Sequence, residues 1–179
     1  MAATVSTVTQ RHPASSRGKQ PFRSLDDLVY LGPDDLAHLY RTAETPRVSD
    51  LDGDLRGRML ALPRAGRSLA AVVRALGAWD RFPWRGKSFR STDDAHGEGF
   101  NRYVTDRIHL HRFFTSIGPS RAGVFDAVQL DYDRRDNPSF VRRIKDEVRA
   151  IEPGLFLGTA WVTARSGPRI ACYFGLTTR

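Results

Sequence analysis

Two imidazoles stand two residues apart in Arg107-Ile108-His109-Leu110-His111-Arg112-Phe113. On a strand, alternate side chains share a face, so His109 and His111 would lie about 7 Å apart, close enough for one ligand or one metal ion. A metal would need a third ligand, and Asp131, Glu98 and His96 are the near candidates. No spacing selects among them, so no metal is assigned, and whether the two histidines share one stays open. Imidazole titrates near neutral pH, which makes His109 a candidate for acid–base chemistry and His111 a candidate ligand contact. An acid could come from the segment 138–151, which carries Arg142, Arg143, Asp146, Glu147 and Arg149. Arg142–Asp146 and Arg143–Glu147 have the four-residue spacing of ion pairs along a helix. On that helix Phe140, Val141, Ile144, Val148 and Ile151 form one face. Glu147 borders it and Asp146 lies opposite, so Glu147 is the acid expected to reach an interior. Tyr132 and Tyr173 fall within apolar runs, where a buried hydroxyl needs a partner. The catalytic candidates are therefore His109, Glu147 and Tyr132.

A second set of residues could hold a ligand. Trp84 would form an apolar wall. Lys87, read as sharing a face with Arg85, would meet an anionic head group at a cavity mouth. Asn101 and Tyr103 share a strand face and join His111 and Tyr173 as polar contacts. The chain has no GxxxxGK[ST], no GxGxxG between strand and helix, no HExxH and no GxSxG. Nucleotide-dependent chemistry, zinc proteolysis and serine hydrolysis are thereby disfavoured, and no cofactor is expected. Gly97-Glu98-Gly99 reads as a turn.

These side chains must be positioned by the elements around them. Gly53-Asp54-Leu55-Arg56-Gly57 and Pro83-Trp84-Arg85-Gly86-Lys87-Ser88-Phe89 each open a strand-like run with glycines. Glycine within a strand marks a bulge, a bend or a close backbone approach, the devices that curl a sheet into a small barrel. Ser24 with Asp26 and Asp27, and Gly32-Pro33-Asp34-Asp35, open two short helices. Ser68 and Gly77 bound another, with Leu69, Val72, Val73 and Leu76 as its stripe. Strands are expected over about 55–63, from Trp84, and over about 100–105, 107–116, 123–132, 155–164 and 169–177. Between the fifth and sixth strands, Asn137 and Pro138 would start the helix over 138–151, and Pro153-Gly154 would stop it.

Composition narrows the partners. The 179 residues carry a net charge of +8. Residues 1–23 hold Arg11, Arg17, Lys19 and Arg23 with no acid, so half the excess lies on a tail expected to be disordered. Residues 24–179, read as one domain, have 24 basic and 20 acidic residues, interspersed, and nucleic acid is not an expected partner. No apolar run is long enough for a membrane-spanning helix. The N-terminus has no secretory signal, and a lone Cys172 suits a reducing compartment, so a cytoplasmic setting is expected. A small apolar molecule is the partner expected, with a homodimer the one self-assembly allowed for.

Trp84-Arg85-Gly86-Lys87-Ser88-Phe89 resembles a segment of the GXWXG-type family of small bacterial proteins, whose barrel is lipocalin- or nitrobindin-like. Gly53-Asp54-Leu55-Arg56-Gly57 is similar to its namesake motif, with Leu55 in place of tryptophan. Asp131-Tyr132-Asp133, Asn137-Pro138, Leu157-Gly158 and Tyr173-Phe174-Gly175-Leu176 follow in the family's order. The resemblance implies a calycin-like barrel and an apolar ligand, not a defined reaction. The expected fold is α+β: a curved antiparallel sheet closing into that barrel, with N-terminal helices and one helix before the last two strands. Binding of a lipid- or polyketide-like molecule with an anionic or carbonyl end ranks first as function. A cofactor-free cyclase or isomerase acting on such a molecule ranks second, and a basic nucleic-acid or protein-interaction module third.

Overall fold

Antiparallel pairing of every strand with its sequence neighbour, and of the last with the first, closes the chain into an eight-stranded barrel. The computed structural model describes residues 22–63, 83–104, 108–164 and 167–178. The strands are β1 (Gly53–Ala61), β2 (Trp84–Ser91), β3 (His96–Tyr103), β4 (Ile108–Pro119), β5 (Asp126–Asp131), β6 (Ile144–Glu152), β7 (Leu155–Ala164) and β8 (Gly167–Thr177). Two helices precede them, α1 (Leu25–Val29) and α2 (Pro33–Thr42). The expected helix over 68–77 and nearly all of the basic tail lie outside the described residues.

Both helices start as their sequences dictate. The Asp27 carboxylate accepts the backbone N–H groups of Arg23 and Ser24 at 2.8 and 3.0 Å, and Pro33 occupies the first turn of α2. Leu28, Val29, Leu36, Leu39 and Tyr40 pack against the outer faces of Leu60, Leu155, Leu157 and Tyr173. The inner faces supply a separate core that includes Leu55, Phe89, Phe113, Val128, Leu130, Val148, Phe156 and Leu176. A closed barrel leaves no sheet edge to pair with another chain.

The paired glycines mark a close approach of β1 and β2. A Cβ on Gly86, where φ is +133°, would sit 2.0 Å from the Leu55 carbonyl oxygen. One on Gly57 would meet both Gly86 Cα and the Trp84 ring at 2.6 Å. The β2–β3 register also slips between Trp84 and Gly86, which makes Arg85 the extra residue of a bulge.

Residues 138–151 depart from the helix that their spacing predicts. A 3-10 turn over Val141–Arg143 leads directly into β6. Asn137 does not cap a helix; its Nδ2 donates to the carbonyls of Arg112 and Tyr132 at 2.6 and 2.8 Å. The reason is that β6 is covered on both sides. Ile144, Val148 and Ala150 join the inner core, and Ile151 joins the outer one. Its alternation is interrupted at only two positions, Asp146 among the inward residues and Ile151 among the outward ones, and those two breaks give the segment its helix-like four-residue spacings. Gly97-Glu98-Gly99 is likewise not a turn but part of β3, pairing with Phe113–Thr115 of β4. There Gly99 leaves room for Phe113, whose ring lies 2.6 Å from where its Cβ would be.

Candidate functional site

A cavity of about 320 Å³ occupies one end of the barrel interior. Met59, Trp84, Val141, Ile144, Ala160 and Phe174 supply apolar wall, and the exposed Phe140 stands at the rim. Its polar lining is Lys87, Asn101, Tyr103, His111, Tyr132 and Asp146, with Cys172 beside them.

The centre of this lining is a buried ion pair. Lys87 and Asp146 are only 2% and 4% exposed, and Lys87 Nζ donates to Asp146 Oδ2 at 2.9 Å. Strands β2 and β6 lie four positions apart in a ring of eight, so this contact crosses the barrel. The same ammonium donates to Asn101 Oδ1 at 2.8 Å and to the Tyr132 hydroxyl at 2.6 Å. Asn101 stands directly opposite Lys87 in the β2–β3 ladder, which fixes the first of these. Tyr132 passes its own proton toward Asp146 Oδ2 at 2.9 Å and accepts from Asn101 Nδ2 at 3.1 Å. Trp84 Nε1 completes the set, donating to Asn101 Oδ1 at 3.0 Å. The rings of Trp84, Phe113, Tyr132 and Phe174 lie 5.0–5.6 Å from the ammonium, so a cation–π cage replaces part of its lost hydration. Burial and the adjacent Asp146 carboxylate raise the Tyr132 hydroxyl well above the usual tyrosine range.

A second polar pair lies on the wall. The Tyr103 hydroxyl and His111 Nδ1 are 3.0 Å apart. Burial, with a smaller contribution from the Lys87 ammonium, lowers the His111 pKa below its ordinary value and favours the neutral ring. Burial and then the Asp146 carboxylate raise Tyr103. The Cys172 thiol, half-buried on the cavity wall, is pushed up to about 12 by burial and by Asp146, which disfavours its thiolate.

Trp84, Lys87, Asn101, Tyr103, His111 and Tyr132 thus meet around one cavity, whereas His109, Glu147 and Tyr173 do not. A bulge between Phe100 and Asn101, with His111 at φ +56°, breaks the alternation that would have aligned the two histidines. His111 turns to the cavity wall, and His109 stays exposed, stacked on Phe100 with ring centroids 4.1 Å apart. Among the described residues no group of three or more His, Cys, Asp or Glu could hold a metal ion.

Glu147 is fully buried, but on the outer face of β6. It accepts from Tyr40 OH at 3.0 Å, Ser120 Oγ at 2.7 Å, and the backbone N–H and guanidinium of Arg121 at 2.9 and 2.8 Å. It fastens α2 and the turn after β4 to the wall. Tyr173 packs in the same outer layer. Lys87 is not at a mouth beside Arg85. The bulge at Arg85 separates the two, and the side chain runs inward to Asp146.

Asp146 is the site residue that helical spacing concealed. The signal that would find it is the two-residue period Ile144, Asp146, Val148, Ala150, which sets a carboxylate in an inward-facing row.

No protein-family model matches the chain, and no curated protein matches it. Among solved structures, a crystal structure of a protein from Thermomonospora curvata is similar at 19% identity and a TM-score of 0.45, over 83% of this chain and 88% of that one. Among the described residues no helix is long and apolar enough to cross a membrane.

Proposed function

We propose that the protein binds a small, mostly apolar molecule inside the barrel. The observation that carries this reading is a cavity of about 320 Å³ whose walls are largely aromatic and aliphatic and whose few polar groups form one cluster at Lys87 and one pair, Tyr103 with His111. That combination typifies small-molecule sites: apolar area gives affinity, and a few fixed polar groups give orientation. The hydrogen-bonded cluster at Lys87 holds its own geometry, so little ordering cost remains to be met on binding. The calycin-like relation implied by the GXWXG resemblance belongs to this reading, as does a cytoplasmic setting for a chain with one thiol.

The test is titration of the full chain with 1-aminoanthracene, a neutral apolar fluorophore that brightens on leaving water. Saturable binding is expected, and Ala160→Phe, which extends a ring into the cavity, should abolish it without lowering thermal stability. Binding that survives Ala160→Phe unchanged places the fluorophore elsewhere and refutes the cavity reading.

A cofactor-free isomerase or cyclase is the second reading, and the Tyr103–His111 pair favours it. An imidazole kept neutral beside a phenol on an apolar wall can take a proton from one carbon of a bound molecule and return it to another. Replacing His111 by Gln would then lower turnover while leaving ligand affinity within a few fold. A parallel fall of both quantities supports binding alone.

A further inference from the structure

At the buried end of the cavity, nearly all hydrogen-bonding capacity is already spent. An ammonium has three N–H donors, and those of Lys87 go to Asn101, Tyr132 and Asp146. Asn101 Oδ1 accepts from both Lys87 and Trp84, and the two N–H groups of its Nδ2 go to Tyr132 and to the His111 carbonyl. The Tyr132 hydroxyl accepts twice and donates once. One atom breaks the pattern. Asp146 Oδ1 is buried and has no hydrogen-bond partner among the described residues, although Asp146 lines the cavity. A buried acceptor left unpaired is costly, so each such atom calls for an explanation. The charges are also balanced, one ammonium against one carboxylate.

Taking cavity binding as the premise, we infer that the ligand's buried end is an uncharged hydrogen-bond donor, an alcohol or phenol hydroxyl, which reaches Asp146 Oδ1. A carboxylate end is refused. It would find no unused N–H in the Lys87 cluster and would stand beside the carboxylate of Asp146, where like charges disfavour each other. Lys87 read alone suggests an anionic head; Lys87 with its partner does not.

Three probes of nearly one shape separate the end groups: 2-naphthol (donor), 2-methoxynaphthalene (acceptor only) and 2-naphthoate (anion). Each is titrated calorimetrically against the full chain at pH 7. Naphthol should bind at least about tenfold more tightly than the ether, the factor expected for one hydrogen bond to a charged acceptor, and naphthoate should bind most weakly. Equal affinities for naphthol and the ether, or tightest binding of naphthoate, overturn the donor assignment but leave cavity binding standing. Failure of all three to bind overturns both. Asp146→Asn adds a second arm by removing the negative charge and leaving Lys87 unbalanced. Naphthoate should then gain about tenfold or more, while naphthol loses most of its lead over the ether. Wild-type selectivity in D146N overturns the role of Asp146, and the wild-type comparison stands whether or not that variant folds.

Discussion

Removing one member of the Lys87–Asp146 pair should destabilise the barrel more than removing both. The two side chains are 3% and 5% exposed and meet at 2.9 Å, so each charge depends chiefly on the other for compensation. Lys87→Met strands a carboxylate that, among the described residues, keeps the Tyr132 hydroxyl as its donor. Asp146→Leu strands an ammonium that keeps Asn101 and Tyr132 as acceptors. Breaking a buried pair in this way costs about 3–5 kcal/mol. For a chain of this size, that lowers Tm by roughly 10 °C. The double variant carries no buried charge, and its main loss is the bonding of the Tyr132 hydroxyl, about 1–2 kcal/mol. Its apolar replacements have the neighbouring cavity into which to relax. The double variant should therefore be more stable than either single one, with a coupling energy of several kcal/mol. Urea unfolding followed by tryptophan fluorescence measures all four corners of the cycle. Additive losses would refute the reasoning, because they mean the two charges do not depend on each other. Single losses below about 1 kcal/mol would refute it too, because that is the scale of a solvated surface pair.

Burial and Lys87 depress the folded-state pKa of His111, so the unfolded chain binds this proton first. Its contribution to stability is complete above the unfolded value near 6.5 and falls as pH drops through the folded one. Comparison of wild type with His111→Gln by denaturant midpoints between pH 8 and 5 should show a steeper acid-side loss in the wild type; parallel profiles contradict the assignment. Cys172, raised from 9.0 to about 12, should react with iodoacetamide at pH 8 on the order of a thousandfold more slowly than in the urea-unfolded chain. Native labelling at a free-thiol rate would place it outside this environment. Gly86→Ala adds a Cβ 2.0 Å from the Leu55 carbonyl oxygen at a φ of +133°, and should cost about 3 kcal/mol or more in thermal or urea unfolding. A near-neutral effect would mean that β1 and β2 are not pressed together there.

Residue pattern carried much of the barrel. Gly57 and Gly86 mark a close approach because only a residue without Cβ permits one, and that constraint is local. The acidic openings of α1 and α2 are local as well, since Asp27 and Pro33 act within one turn. β6 was illegible for a non-local reason. α2 covers its outer face, which admits the apolar Ile151 there, and Lys87 across the barrel admits the carboxylate of Asp146 on the inner face; these two exceptions break the alternation, and the four-residue spacings mimic a helix. The site was half legible. Trp84, Lys87, Asn101, Tyr103, His111 and Tyr132 are the polar and aromatic types that suit the lining of a cavity. Strict alternation misplaced the partners of two of them, because bulges at Arg85 and His111 each shift a strand by one residue.

By itself, the sequence determined that glycine-bent strands alternate into a curved sheet with an apolar inner face and a cation among its polar contacts. Tertiary structure alone decided what that cation faces. Lys87 and Asp146 are 59 residues apart and on opposite walls, and no spacing rule joins them. Only closure of the barrel, which sets β2 across from β6, brings the two charges together. With them it sets a carboxylate against the cation across the barrel.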